Sequence, residues 1–327
     1  MGGQHSLISP GNVRNVKFYF GYLPSSAAFN LANGESSMAQ NEMKTREEPG
    51  SIVAAILDLA PFKREPVWNL TLVAEAILLT LLSTVMMRSI GVPEAGLMGI
   101  ALASAAMAPR FNKILELNRV KIWSEEGSGR RANRNSIISG LCIFIGIFVA
   151  FLIVGGTSSE ETLQRDFGFI LHNTSIDRDA VLSVARFEHG MSIFTHNIFV
   201  LLSFGILSFL YRSLGAMIAL GWNAGVWGVT ITLFMGGGYE SELSRMMYGI
   251  VVLTAIMPHL ILEAGGYIVG SLSSIFFSRA FILYRIQDPR LIRVSVAVMV
   301  LAVASVLLLA LGALVEHHIP SIVLKYA

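Results

Sequence analysis

The chain has 327 residues, of which 54% are hydrophobic and only 14% charged, against about 25% charged in a soluble globular domain. Long stretches carry almost no charge and the charges cluster between them, the pattern of a chain that meets hydrocarbon over much of its length. A formal net charge of +2 gives no basis for a nucleic-acid partner, and the single cysteine, Cys142, excludes an intrachain disulfide.

Residues 1–66 are mixed and polar, with no sustained period over 24–50, and read as a partly disordered cytoplasmic tail. No basic segment followed by a compact apolar one opens the chain, so the first span is expected to act as the targeting signal. A hydrocarbon core of about 30 Å takes about 20 apolar residues in a helix. Seven segments fit, at roughly 68–87, 93–109, 136–156, 192–211, 214–235, 247–270 and 293–315.

The second segment is the weakest, short and rich in Gly and Ala. Loop charge decides in its favour. With seven spans and the N-terminus inside, 18 of the 24 Lys and Arg lie on the cytoplasmic side, as the positive-inside rule requires. Without it, the basic segment 110–134 would lie opposite the basic tail. The expectation is an all-α, polytopic transmembrane helix bundle, multi-pass in the cell inner (cytoplasmic) membrane. It divides into the tail 1–66, a hairpin with a basic cytoplasmic loop at 67–135, and a five-span domain at 136–327.

Two connections carry pattern of their own. Over 110–135, Phe111, Ile114, Leu115 and Ile122 alternate with Arg110, Lys113, Glu116 and Arg119. This amphipathic stretch either lies on the inner leaflet or extends the second span into solvent. Residues 157–190 form the largest outer loop, with 6 acidic and 3 basic residues. Its apolar cluster Phe167, Phe169, Ile170 and Leu171 points to an interfacial helix or a docking surface.

Ionisable and amide side chains at membrane depth are functional candidates by default. The spans hold Glu75, His196, Asn197, Asn223, His259 and Glu263. His259 and Glu263 are four apart and share a helix face, and Pro258 removes a backbone donor beside them. The cluster His196, Asn197, Asn223, His259 and Glu263 reads as helix–helix glue, as a proton or ion relay, or as a metal site. The spacing does not demand a metal, and no cofactor is implied. Gly221 with Gly225, and Gly266 with Gly270, have the four-residue spacing of close helix contact. Contact within the bundle is the leading reading and a homo-oligomer the lesser one. There is no His-Glu-x-x-His, no Gly-x-Ser-x-Gly and no Walker loop. The string Glu125-Glu126-Gly127-Ser128-Gly129-Arg130 resembles an intramembrane-protease signature, but it sits in a polar loop where that chemistry has no buried carboxylates. No complete catalytic set is present.

From about residue 136 the chain resembles the stage II sporulation protein M family. The resemblance rests on the run from His196 to Ile206, on Trp222-Asn223-Ala224-Gly225, and on Pro258-His259-x-x-x-Glu263 followed by Gly265-Gly266. It departs from the family at Leu260 and Ala224, where glycine is usual. The resemblance implies an integral membrane anchor for envelope-remodelling enzymes. The leading expectation is therefore a non-enzymatic scaffold that organises membrane or envelope protein partners in the lipid bilayer. The alternative is a transporter or channel-like subunit built on the polar cluster.

Overall fold

In the computed structural model of the protein, the described residues are 65–123, 129–173, 190–237 and 245–323, all within the unit Leu59–Ala327. The expected tail and residues 174–189 of the long connection lie outside them. Every regular element among the described residues is a helix. In chain order these are α1 (Glu65–Ser89), α2 (Ala95–Trp123), α3 (Gly129–Thr157), α4 (Glu160–Asn173), α5 (Gly190–Tyr211), α6 (Ser213–Gly237), α7 (Arg245–Leu283) and α8 (Pro289–Val323).

Six of them contain stretches long and apolar enough to cross a membrane: Trp68–Ser89, Asn133–Thr157, Phe194–Tyr211, Ser213–Leu233, Met247–Leu283 and Pro289–Glu316. The chain is a multi-pass membrane helix bundle. α2, the weak second segment, forms a helix but falls short of that apolarity. Packing explains how it stays in the bundle. It is flanked by α1, α3 and α6, with Ile100, Ala103, Ser104 and Met107 almost wholly buried. Its covered face packs on those neighbours, while Met98, Ala101 and Ala105 stay exposed.

The amphipathic stretch after 110 is a continuation of α2. Its apolar residues Phe111, Ile114 and Leu115 turn into the bundle, and Asn118 donates to Ser136 Oγ of α3 at 2.7 Å. Glu75, an isolated charge in sequence, is neutralised across α1 and α2. Arg110 Nε lies 2.9 Å from Glu75 Oε2, with the guanidinium carbon 5.4 Å from the Trp68 ring centre. A buried charge without such a partner would be strongly destabilising.

α4 docks back onto the α1–α2 turn. Arg88 Nε donates to Asp166 Oδ2 at 2.6 Å, and its Nη2 to Ser158 Oγ at 2.9 Å. The backbone leaves helical geometry at Phe167, whose buried ring packs against Gly96 and meets Phe151 edge-on. Phe169 is half exposed, its N–H donating to Glu94 Oε1 at 3.0 Å.

α6 and α7 join the two halves of the bundle. α6 packs on α2, α3, α5 and α7, and α7 makes its most extensive pairing with α8. Small residues set these approaches. Gly221 faces Ser104 and Ile100 of α2, Gly225 faces Ile100 and Phe151, and Gly270 faces Leu201 and Ser305. At Gly266 a Cβ would stand 2.8 Å from Leu309 Cδ2 and 3.3 Å from the Ser305 carbonyl oxygen, whereas at neighbouring Gly265 the nearest atom is Leu308 Cδ1 at 3.9 Å. Gly266→Val is therefore expected to destabilise the detergent-solubilised protein by about 1–3 kcal/mol through overpacking. Gly265→Ala should leave the thermal midpoint nearly unchanged.

Candidate functional site

Side chains four apart on a helix lie one above another, and α7 uses that interval for four buried polar residues in succession. His259, Glu263, Tyr267 and Ser271 are 3%, 6%, 1% and 2% exposed. At 1.5 Å per residue the line covers about 18 Å of helix axis, more than half of a hydrocarbon core of about 30 Å. Four residues turn the helix about 40° beyond a full circle, so the line winds from one neighbour to the next. His259 meets Trp227 of α6 edge-on with ring centres 5.1 Å apart, and Tyr267 meets Phe204 of α5 at 5.1 Å.

Tyr267 Oη donates to Glu263 Oε1 at 2.8 Å. Trp227 of α6 and Glu316 of α8 stand near that carboxylate. Gly312 lets α8 lie close to the α7 backbone here, 3.7 Å from the His259 carbonyl oxygen and 3.8 Å from the Glu263 nitrogen as measured from a Cβ position. Pro258, one residue before the line begins, removes the backbone donor that the Thr254 carbonyl would otherwise receive.

The rest of the site is under-supplied with partners. Both ring nitrogens of His259 and Oγ of Ser271 find no hydrogen-bond partner among the described residues, nor do Nδ2 of Asn223 and Oγ1 of Thr230 on α6. Asn223, Trp227 and Thr230 are spaced to share one face of α6, the face that Trp227 turns toward His259. A buried polar atom with no partner costs about 1–3 kcal/mol, and α6 and α7 carry four such residues, Asn223, Thr230, His259 and Ser271.

Asn197 is buried and stands one turn before Leu201 on α5, the side that packs on Tyr267. His196 does not belong with the others. It is exposed, because consecutive helical residues point about 100° apart and Asn197 takes the inward position. Of the two, Asn197 alone faces the helices of the other expected members, and His196 is corrected out of the cluster. The set gains Tyr267, Ser271, Trp227 and Glu316. Tyr267 and Ser271 were readable as further steps of the four-residue interval; Trp227 and Glu316 come from other helices and had no local signal. Among the described residues, no three His, Cys, Asp or Glu side chains are grouped to hold a metal ion. Comparison with known proteins finds no matching family model, no matching curated protein and no matching solved structure.

Two substitutions separate the paired from the unpaired part of the line. Tyr267→Phe removes the hydroxyl donor from a buried carboxylate and is expected to cost about 1–3 kcal/mol of stability. His259→Leu removes two unpartnered nitrogens at similar volume, and the thermal midpoint should hold or rise. A large fall for His259→Leu would show that the imidazole holds the fold together.

Proposed function

We propose that the protein is a transporter or channel-like membrane subunit in which the α7 line handles a proton or small cation at membrane depth. The observation that carries this reading is the buried series His259, Glu263, Tyr267 and Ser271, with unpartnered polar atoms at both of its ends. Intramembrane Glu and His side chains in series are the chemistry of proton relays. The carboxylate and imidazole exchange protons, the phenol and hydroxyl orient them, and Asn223 and Asn197 offer oxygen and amide groups to an ion or water passing between α5, α6 and α7. Helix glue alone is expected to satisfy its hydrogen bonds.

A scaffold for envelope proteins is the second reading. The dense closure around Glu263 and Tyr267 favours it, and so does the resemblance to stage II sporulation protein M. On that reading the side with the basic loops is cytoplasmic, and α4 with the connection after it faces the partners.

The purified protein in liposomes carrying an internal pH-sensitive dye decides between them. Under an imposed gradient and membrane potential, the transport reading expects proton or cation flux. Glu263→Gln should lower that flux by about a hundredfold or more, the size of losing a positioned proton carrier, while the amide oxygen still accepts from Tyr267. No flux from the intact chain, together with partner capture that survives Glu263→Gln, would establish the scaffold instead.

A further inference from the structure

At the end of the bundle where α5 passes into α6 and α7 terminates, a cavity of about 250 Å³ is lined by Glu116, Arg212, Arg279, Ile282 and Leu283. We infer that this cavity binds the phosphodiester headgroup of an anionic phospholipid. The hollow is open to its surroundings rather than enclosed, so a headgroup can enter it while the rest of the molecule stays outside.

The lining gives the sign of the ligand. Two guanidiniums face one carboxylate, and Arg212 makes no ion pair among the described residues. The planar guanidinium is the side chain best matched to two oxygens of a phosphate. The fold fixes the backbone of Arg212 and the side chain of Arg279. Arg212 occupies the tight α5–α6 junction in left-handed backbone geometry, φ +53°, and its carbonyl accepts from the Ala216 N–H at 3.0 Å. Arg279 Nη2 donates to Asn112 Oδ1 at 3.2 Å, and Ser213 Oγ donates to the same oxygen at 3.1 Å. Asn112 Nδ2 in turn donates to Glu116 Oε1, one turn along α2, at 3.0 Å.

The surroundings favour a lipid over a soluble anion. Arg212 directly follows the apolar stretch Phe194–Tyr211, and Ile282 and Leu283 close the stretch Met247–Leu283. Ile282 and Leu283 are 68% and 65% exposed, with Phe281 beside them at 53%. A phosphate in the cavity would have apolar surface beside it for its acyl chains, and basic pockets between membrane helices are the usual receptors for anionic headgroups.

The test compares retention of phosphatidylglycerol through delipidation, read by native mass spectrometry, for the full chain and three variants. Arg212→Asn removes the charge and keeps a residue that tolerates left-handed backbone. It is expected to weaken retention by about tenfold, the size of one lost charge-assisted contact. Arg293→Gln, an exposed cation outside the cavity, should leave retention unchanged. Glu116→Gln, which removes the carboxylate and keeps an acceptor for Asn112, should strengthen it; that variant carries the test if Arg212→Asn does not fold. Equal losses in Arg212→Asn and Arg293→Gln would overturn the site in favour of diffuse charge. Equal retention of phosphatidylcholine would overturn the anionic assignment. Displacement of the lipid by millimolar glycerol phosphate or inorganic phosphate would assign the cavity to a soluble anion and overturn the lipid.

Discussion

Hydrocarbon cannot hydrogen-bond, and the architecture follows from that one property of the solvent. Each backbone N–H and C=O in the apolar layer must be satisfied within its own segment, which leaves helices as the solution for a chain of these runs. Side chains obey the same restriction. Glu75 is met by Arg110, Asp166 by Arg88, and exposed hydroxyls such as those of Thr195 and Thr254 turn back to the carbonyl four residues earlier. Thr80, Ser104 and Ser208 each leave a hydroxyl without a partner as well; His259, Ser271, Asn223 and Thr230 differ in lying on the packed pair α6 and α7.

Lipid and protein are equally apolar, so burying oily side chains gives little net drive for one helix to join another. The bundle relies instead on close approach. Ser104 meets Gly221, Leu309 meets Gly266, and Ser305 Oγ donates to the Gly266 carbonyl oxygen at 2.8 Å. The two contacts at Gly266 bring α8 against α7 near the polar line, where Gly312 meets the backbone of His259 and Glu263. The packing that holds α8 in place thus also encloses the site.

The helical class and most helix positions were legible because a run of about 20 apolar residues has few other uses. Two boundaries were less legible. α7 runs to Leu283, beyond the 247–270 segment, since its last turns pack in the bundle and Ser278 and Ala280 stay buried. α2 falls short of the apolarity of the other spans, and its covered face packs on its neighbours. Of the site, the His259–Glu263 pair was visible from its spacing, whereas depth in a span could not tell inward Asn197 from outward His196. The Arg212–Arg279 cavity joins residues far apart in sequence, and no local period reports a convergence of that kind.

The apolar surface left outside the bundle faces lipid. α8 presents the largest share of it, with Val303, Leu307 and Leu314 at 51%, 63% and 58% exposed. Single spin labels at these three positions, in a chain whose Cys142 is replaced by Ser and which is reconstituted in bilayers, measure the surroundings directly. The account predicts strong relaxation by dissolved oxygen and almost none by a water-soluble nickel chelate. Frequent collisions with the chelate at Val303 or Leu307 would put water where hydrocarbon is required and contradict it.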